Sequence, residues 1–173
     1  MPVIKTTTVS SSGNSASVHT ISFKGISGGI FFCLALALVL YVVGFATTGW
    51  TIVLNSHFGL WESCVCGRAP SGADWFRAVQ AMIIIGHVGL VACMICVFIY
   101  MCVHAVNKTN TILALTIICF VTVLFMLVGF IVYGAKATNV SWSFVLCVVG
   151  GIFTLIAGVL SVVQMRQSRG ITD

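Results

Sequence analysis

The chain has 173 residues, of which 60% are apolar and only 6% are Asp, Glu, Lys or Arg. A soluble domain is about 45–50% apolar and about 25% charged, so the composition excludes a water-soluble globule and indicates a lipid environment. The net charge is +5, but the basic residues are scattered singly along the chain. Nucleic-acid binding requires a clustered basic face, and this class of protein is therefore excluded.

The first 24 residues are rich in serine and threonine and poor in apolar side chains. This composition predicts a disordered tail. Because the first apolar stretch starts late and no cleavage site follows it, we expect this stretch to stay in the protein as a membrane anchor, not as a signal peptide. A mitochondrial transit peptide is an alternative, since the tail has no acidic residue, although it also lacks arginine.

Four long stretches without charge follow the tail. A membrane-spanning helix needs about 20 mainly apolar residues, and each stretch meets this requirement. The sequence therefore predicts an all-α membrane protein, in which residues 25–165 form a four-helix transmembrane domain and residues 166–173 a short tail. The predicted spans are 26–48, 78–103, 111–133 and 141–163.

Basic residues flank the predicted spans unequally. An even number of spans places both termini on one side, which then carries Lys5, Lys24, Lys108, Arg166 and Arg169, against Arg68, Arg77 and Lys136 on the other. The positive-inside rule therefore predicts cytosolic termini, with the loop at 50–77 on the outer side of the membrane. The tryptophans fall at the outer ends, as expected of an interfacial belt: Trp50, Trp61, Trp75 and Trp142.

Local signals refine the helix ends and the packing. Polar residues that suit N-cap positions precede three of the helices: Asp74, Asn110 and Ser141. Small residues at four-residue spacing favour close helix packing, either within the bundle or between copies of the chain: Gly25 and Gly29, then Gly150, Thr154 and Gly158.

The loop at 50–77 is the only sizeable polar segment between spans. Two runs of β-branched and aromatic residues, separated by Asn55-Ser56, predict a short hairpin resting on the membrane surface. Three apolar side chains of this hairpin, Leu54, Phe58 and Leu60, are expected to be exposed contacts for a partner.

The motifs of this loop resemble a known family. Trp50 leaves the first span, Gly59-Leu60-Trp61 precedes Cys64 at the spacing Gly-Leu-Trp-x-x-Cys, and Cys66 follows; Arg77 stands at the membrane edge of the second span. This arrangement resembles the tetraspan superfamily of claudins, peripheral myelin protein and epithelial membrane proteins, over roughly residues 26–165. The entry to the second span, residues 74–82, is most similar to the myelin and epithelial branch.

The resemblance carries expectations about structure and function. It implies a four-helix bundle that carries a small extracellular antiparallel β-sheet from the first loop, with Cys64 and Cys66 joined by a disulfide. It also implies a structural role in cell–cell contact, junction or barrier formation and membrane organisation. Partners would be membrane lipid, further copies of the chain in cis or in trans, and other tetraspan or channel proteins. The alternative is an auxiliary regulatory subunit of a channel or receptor.

Two features depart from the family pattern. One residue separates Cys64 from Cys66, where the family usually has several, so a disulfide between them would close a small and strained ring. The bond could be absent or could join another chain, or the two thiols could bind zinc with His57; an intramolecular disulfide is favoured. The chain ends in Gly170-Ile171-Thr172-Asp173, without the apolar last residue that PDZ scaffolds read in many claudins.

Residues with potential chemistry do not converge. The acids Glu62, Asp74 and Asp173 lie outside the spans, and no activated nucleophile accompanies them. We therefore predict neither an enzyme nor a cofactor. Within the second span, His87 is expected to be neutral and hydrogen-bonded to a neighbouring helix, and Cys93 and Cys96 to act as small apolar residues.

Two positions are candidates for covalent modification. Asn139-Val140-Ser141 is a glycosylation sequon on the predicted outer side, although Asn139 or Ser141 could instead cap the fourth helix. Cys102, at the inner end of the second span, is a palmitoylation candidate, with buried packing as the alternative.

Overall fold

A computed structural model of the chain describes residues 25–53, 56–61, 74–102, 107–137 and 139–169. These residues are mostly helical, and two short strands lie between the first two helices. The helices are α1 (Ile26–Ala46), α2 (Asp74–Cys102), α3 (Lys108–Lys136) and α4 (Trp142–Arg169), and the strands are β1 (Thr51–Val53) and β2 (Ser56–Phe58).

All four helices are long and apolar enough to cross a membrane, which confirms the prediction of four long apolar helices and is compatible with a multi-pass membrane protein. Each helix has a narrow buried stripe; that of α1 contains Ile30, Leu34, Ala37 and Tyr41, spaced by one helical turn. Many large aliphatic side chains point away from the bundle instead, and Val88 on α2 is 62% exposed. A helix that is apolar on both its buried and its outer faces suits a lipid solvent.

The helices pack most extensively in two pairs, α1 with α4 and α2 with α3, while the seams between α3 and α4 and between α1 and α2 are less extensive. Glycines allow the close approach of α1 and α4. A Cβ on Gly44 would lie 2.6 Å from Cys147 Sγ and 2.7 Å from the Ser143 carbonyl oxygen, and one on Gly150 would lie 3.1 Å from the Ala37 carbonyl oxygen.

The small-residue motif of α4 therefore packs inside the bundle. Gly150 faces α1, and Gly158 faces α3, where a Cβ would lie 3.4 Å from Cys119 Cβ. The other motif behaves differently: a Cβ on Gly29 would meet only Leu160 Cδ1, at 3.8 Å, and one on Gly25 would meet nothing within 4 Å. Gly44, Gly150 and Gly158 thus allow close contact between helices, whereas Gly25 and Gly29 do not lie at such a contact.

Two of the three predicted N-caps are wrong. Helix α2 already includes Asp74, so this carboxylate lies in the first turn, where it complements the positive end of the helix dipole. Helix α3 begins at Lys108, and the side chain of Asn107, not of Asn110, accepts the Thr109 N–H at 3.2 Å. Asn107 and Asn110 both lie at the start of α3, and Asn107 occupies the N-cap position. Ser141 does directly precede α4.

The strands form a hairpin and contact a second loop. β1 and β2 pair in antiparallel register, Thr51 with Phe58 and Ile52 with His57. On its other side β1 forms an isolated antiparallel bridge between Thr51 and Val140, in the connection between α3 and α4. Strands of three residues do not confirm the predicted extracellular sheet, which stays a prediction.

Candidate functional site

The loop motifs gather at the end of the bundle where α1 and α3 finish and α2 and α4 begin. We call this region the docked end and define it as residues 47–53, 56–61 and 139–143. It contains four of the residues on which the family resemblance depends: Trp50, Gly59, Leu60 and Trp61.

Trp50 anchors the loop in the bundle. Its side chain is fully buried, against Tyr133 and Phe144, whose ring centroids lie 5.1 and 5.9 Å from that of Trp50. Its indole Nε1–H donates to the Gly44 carbonyl oxygen at 2.7 Å. Trp50 thus stands just beyond the end of α1, as predicted, but its ring lies inside the protein, where this carbonyl satisfies its polar atom.

Trp61 makes the equivalent bond one residue further along α1. Its Nε1–H donates to the Phe45 carbonyl oxygen at 3.0 Å, and its ring meets that of Phe45 edge to face at 4.9 Å. The last four carbonyls of a helix lack partners within the helix, and an unpaired carbonyl is costly in a membrane. The two tryptophans thus cap the end of α1 and fix the loop to it.

Gly59 and Leu60 bring the chain close enough for these bonds. A Cβ on Gly59 would lie 3.1 Å from Thr48 Cα and 3.3 Å from the Thr47 carbonyl oxygen, so glycine allows the close approach. Leu60 is fully buried, and its carbonyl oxygen accepts Gln80 Nε2–H at 2.7 Å. The expectation that Leu60 is an exposed contact is wrong, because its side chain fills the space between the loop and the helices.

The connection between α3 and α4 binds the same loop. Backbone hydrogen bonds run from Ile52 N–H to the Asn139 carbonyl, at 3.1 Å, and from Ser141 N–H to the Trp50 carbonyl, at 3.0 Å. Side chains add a bond between Thr51 Oγ1 and the Tyr133 hydroxyl. No local sequence signal indicated this pairing, since 89 positions separate the bridged residues Thr51 and Val140.

Four large apolar side chains remain exposed at the docked end. Their exposed fractions are 36% for Ile52, 46% for Trp61, 45% for Val140 and 49% for Trp142. We call these residues the apolar rim. Ile52 and Val140 were not among the predicted contact residues, although the alternation along β1 would place Ile52 on the face opposite Thr51.

The remaining predicted site residues occupy separate places. Cys64, Cys66 and Leu54 lie outside the described residues, as does the side chain of Phe58. Arg77 is exposed in the first turn of α2, Asn139 is exposed beside β1, and Cys102 is the partly exposed last residue of α2. His57 is exposed on β2.

The histidine and thiols inside the bundle lie apart from the docked end. His87 stacks on Phe45 and Tyr41 and makes no hydrogen bond to a neighbouring helix through Nδ1, contrary to the prediction. Cys93 and Cys119 are fully buried, with their Sγ atoms 3.3 Å apart. Within the described ranges no group of three or more His, Cys, Asp or Glu side chains is arranged to bind a metal ion.

Comparison with known proteins adds no further identification. No protein-family model matches the chain, and no curated protein sequence matches it.

Proposed function

We propose that this protein is a claudin-like or myelin-protein-like tetraspan protein of the plasma membrane that acts structurally in cell–cell contact, junction or barrier formation and membrane organisation. The observation that carries the proposal is the docked end itself. Two tryptophans, a close-approach glycine and a buried leucine of the loop motif attach a short hairpin to a membrane bundle. These four are among the residues that carry the resemblance to that superfamily.

The apolar rim is the proposed contact surface. Monomeric soluble surfaces rarely group large apolar side chains, and such groups mark sites of interaction with proteins or membranes. Because backbone hydrogen bonds hold β1 on both sides, the rim is presented on a preorganised support, which lowers the entropy cost of association. A second copy of the chain, in cis or in trans, is the proposed partner.

This proposal requires the docked end to be extracellular and both termini to be cytosolic. The distribution of basic residues supports that orientation. In this orientation Lys136 is outside, while Lys108 and Arg166 are inside. An epitope tag at either terminus should be reached by antibody only after the plasma membrane has been permeabilised, and staining of intact cells would contradict the proposed topology.

The contact function can be tested by substitution in the rim. Ile52→Ser removes an apolar side chain that is 36% exposed and leaves the backbone bond to Asn139 in place. Expressed in non-adherent cells, the wild-type protein should be enriched at cell–cell borders, and Ile52→Ser should reduce this enrichment. Leu113→Ser is the matched control, because Leu113 is 38% exposed but lies near the opposite end of the bundle.

Two results would contradict the proposal. The first is a diffuse surface distribution of the wild-type protein in touching cells. The second is an equal effect of Ile52→Ser and Leu113→Ser on border enrichment, since this would show that the rim has no specific role.

The proposed disulfide between Cys64 and Cys66 is tested separately by mass spectrometry of the unreduced protein. An intramolecular bond lowers the mass of the peptide that contains both residues by two hydrogens. Two free thiols, or a peptide joined to a second chain, would refute it.

A second candidate function is that of an auxiliary subunit of a channel or receptor. An apolar groove of about 110 Å³ between α3 and α4, lined by residues such as Met126, Phe130, Gly151 and Leu155, faces the surrounding lipid and favours a partner within the same bilayer. Co-purification of a channel from detergent extracts, without border enrichment, would favour this function over the first.

A further inference from the structure

The thiols of Cys93 on α2 and Cys119 on α3 face each other inside the bundle. Both side chains are fully buried, and both thiols are reduced. The Cys119 thiol donates a hydrogen bond to Cys93 Sγ, with the two sulfur atoms 3.3 Å apart. An S–S bond is about 2.05 Å long, so its formation requires the sulfur atoms to approach by about 1.3 Å. The two sulfur atoms are thus in contact before any bond forms.

The register of α2 against α3 places this pair at one level of the two antiparallel helices. Three other contacts share that register, with steps of three or four residues along α2 matched by similar steps back along α3: Ile83 with Gly129, Gly86 with Met126, and Gly89 with Thr122. The next step in this series joins Cys93 to Cys119. The contact between the sulfur atoms therefore follows from the packing of the whole helix pair.

Gly89 allows the backbones of α2 and α3 to approach closely, one turn before Cys93. A Cβ on Gly89 would lie 3.1 Å from Thr122 Cβ. The two Cβ atoms of a disulfide are about 3.5–4.5 Å apart, so the helices at this level are at least as close as a disulfide requires. Cysteines one turn further along can therefore be bridged without first moving the helices together.

The position of the pair within the helices selects the class of oxidant. Cys93 is nine residues from Cys102, the last residue of α2, and Cys119 is eleven residues from Lys108, the first residue of α3. These segments correspond to about 14–16 Å of helix, and the opposite helix ends are farther away. Entry into such an apolar environment is costly for a charged oxidant such as glutathione disulfide. An uncharged hydroperoxide, by contrast, dissolves in the bilayer.

We propose that Cys93 and Cys119 form a reversible disulfide when a hydroperoxide enters the bundle, and that this bond holds α2 against α3. One sulfur attacks the outer oxygen of the hydroperoxide. An S–O bond forms, the O–O bond breaks, and the thiol proton passes to the leaving oxygen, which gives a sulfenic acid and an alcohol. The second sulfur then displaces the sulfenic oxygen, which leaves as water with the proton of the second thiol.

The two sulfur atoms together lose two electrons in this reaction, and the hydroperoxide gains them. The site lies inside the bundle, away from the docked end. The proposal therefore does not depend on the proposed contact function.

The test is oxidation of the purified full-length protein in liposomes. The protein is reduced with dithiothreitol, separated from it and treated with cumene hydroperoxide, and the remaining thiols are blocked with N-ethylmaleimide in denaturant. Mass spectrometry without reduction should find the peptides of Cys93 and Cys119 joined, with the loss of two hydrogens. This link should be at least about tenfold more abundant than one between Cys96 and Cys119, because disulfide geometry selects the facing partner. Absence of the Cys93–Cys119 link, or equal amounts of the two links, would overturn the proposal.

Substitutions separate the two steps. In Cys93→Ser and in Cys119→Ser the second sulfur is missing, so the cysteine that attacks first should remain a sulfenic acid, which dimedone traps. Absence of a dimedone adduct in both variants would overturn the proposed route. The matched control is Cys96→Ser, the same change at a partly exposed cysteine three residues further along α2. It should keep the Cys93–Cys119 link, and loss of the link in this variant would overturn the assignment to a direct pair.

Reduction and thermal unfolding report on the bond in the wild-type protein. Dithiothreitol should break the bond, because its two thiols form a cyclic disulfide while Cys93 and Cys119 take up the two hydrogens. The oxidised protein should unfold at a higher temperature than the reduced protein, since the bond restrains the unfolded chain. Hydroperoxide should not raise the unfolding temperature of Cys119→Ser. Equal unfolding temperatures of the oxidised and the reduced wild-type protein would contradict the proposal that the bond holds α2 against α3.

Discussion

The indole N–H of Trp50 donates to the carbonyl oxygen of Gly44, 2.7 Å away, across the turn that follows α1. Gly44 belongs to the last turn of the helix, and this carbonyl has no partner within α1. At the same residue, the missing side chain lets α4 approach to the point where a Cβ would meet Cys147 and Ser143. One short segment of α1 therefore combines loop attachment with helix packing.

Trp50→Phe should destabilise the protein through loss of this single donor. Phenylalanine keeps a ring against Tyr133 and Phe144 but leaves the Gly44 carbonyl with only the long contact from Thr47 Oγ1, at 3.5 Å. We expect the free energy of unfolding to fall by about 1–3 kcal/mol, measured by denaturant titration in mixed micelles. Trp142→Phe, at a tryptophan that is about half exposed, should change it by less than about 0.5 kcal/mol; comparable losses in the two variants would contradict this account.

Gly44→Ala should weaken the contact between α1 and α4. The added methyl group would overlap Cys147 Sγ and the Ser143 backbone, and relief requires the helices to separate. Overpacking of this kind costs about 1–3 kcal/mol, which thermal unfolding would detect. Gly134→Ala is the control, since its Cβ would meet only Phe144 Cζ, at 3.9 Å, and alanine is the better helix former. Its unfolding temperature should stay equal or rise.

The bond between Thr51 Oγ1 and the Tyr133 hydroxyl should couple the loop to α3. In a double-mutant cycle with Thr51→Val and Tyr133→Phe, we expect a coupling energy of about 0.5–1.5 kcal/mol. Tyr100, near the other end of the bundle, bonds to Gln164 instead. Tyr100→Phe should therefore be additive with Thr51→Val, and coupling of equal size in both cycles would exclude a direct bond as the cause.

Thiol labelling should distinguish the ends of the helices from their buried faces. Cys93 and Cys119 are fully buried, whereas Cys102 is partly exposed at the last position of α2. In variants that keep one cysteine each, a membrane-impermeant maleimide added to inside-out vesicles should modify Cys102 at least about tenfold faster than Cys93, because access controls thiol reactivity. Equal rates for the two single-cysteine proteins would contradict the buried position of Cys93.

The sequence alone predicted the four membrane helices, because uncharged stretches of this length have few alternatives. It did not predict the exact helix starts. Asp74 and Asn110 are good caps by residue type, but the helices begin earlier, and cap preferences place a boundary only to within a few residues.

The candidate site was predicted in part. The residues Trp50, Gly59, Leu60 and Trp61 were identified by their motif, but the motif does not say which of these side chains are buried. Leu60 was expected to be an exposed contact, whereas its side chain is fully buried, and so is that of Trp50. The bonds from Asn139 and Ser141 to the first loop join residues far apart in the chain, and single-sequence patterns report only local regularities.

The bridge between Thr51 and Val140 has a consequence for biosynthesis. β1 leaves the ribosome long before residues 139–141, which pair with its other edge and directly precede α4. The first loop therefore keeps an open strand edge at least until residues 139–141 have been synthesised. During this interval the Asn139 backbone is not yet bound to Ile52, and an exposed edge is available to chaperones or to a neighbouring nascent chain. The docked end has hydrogen bonds to all four helices. It can therefore be completed only when all four are in place.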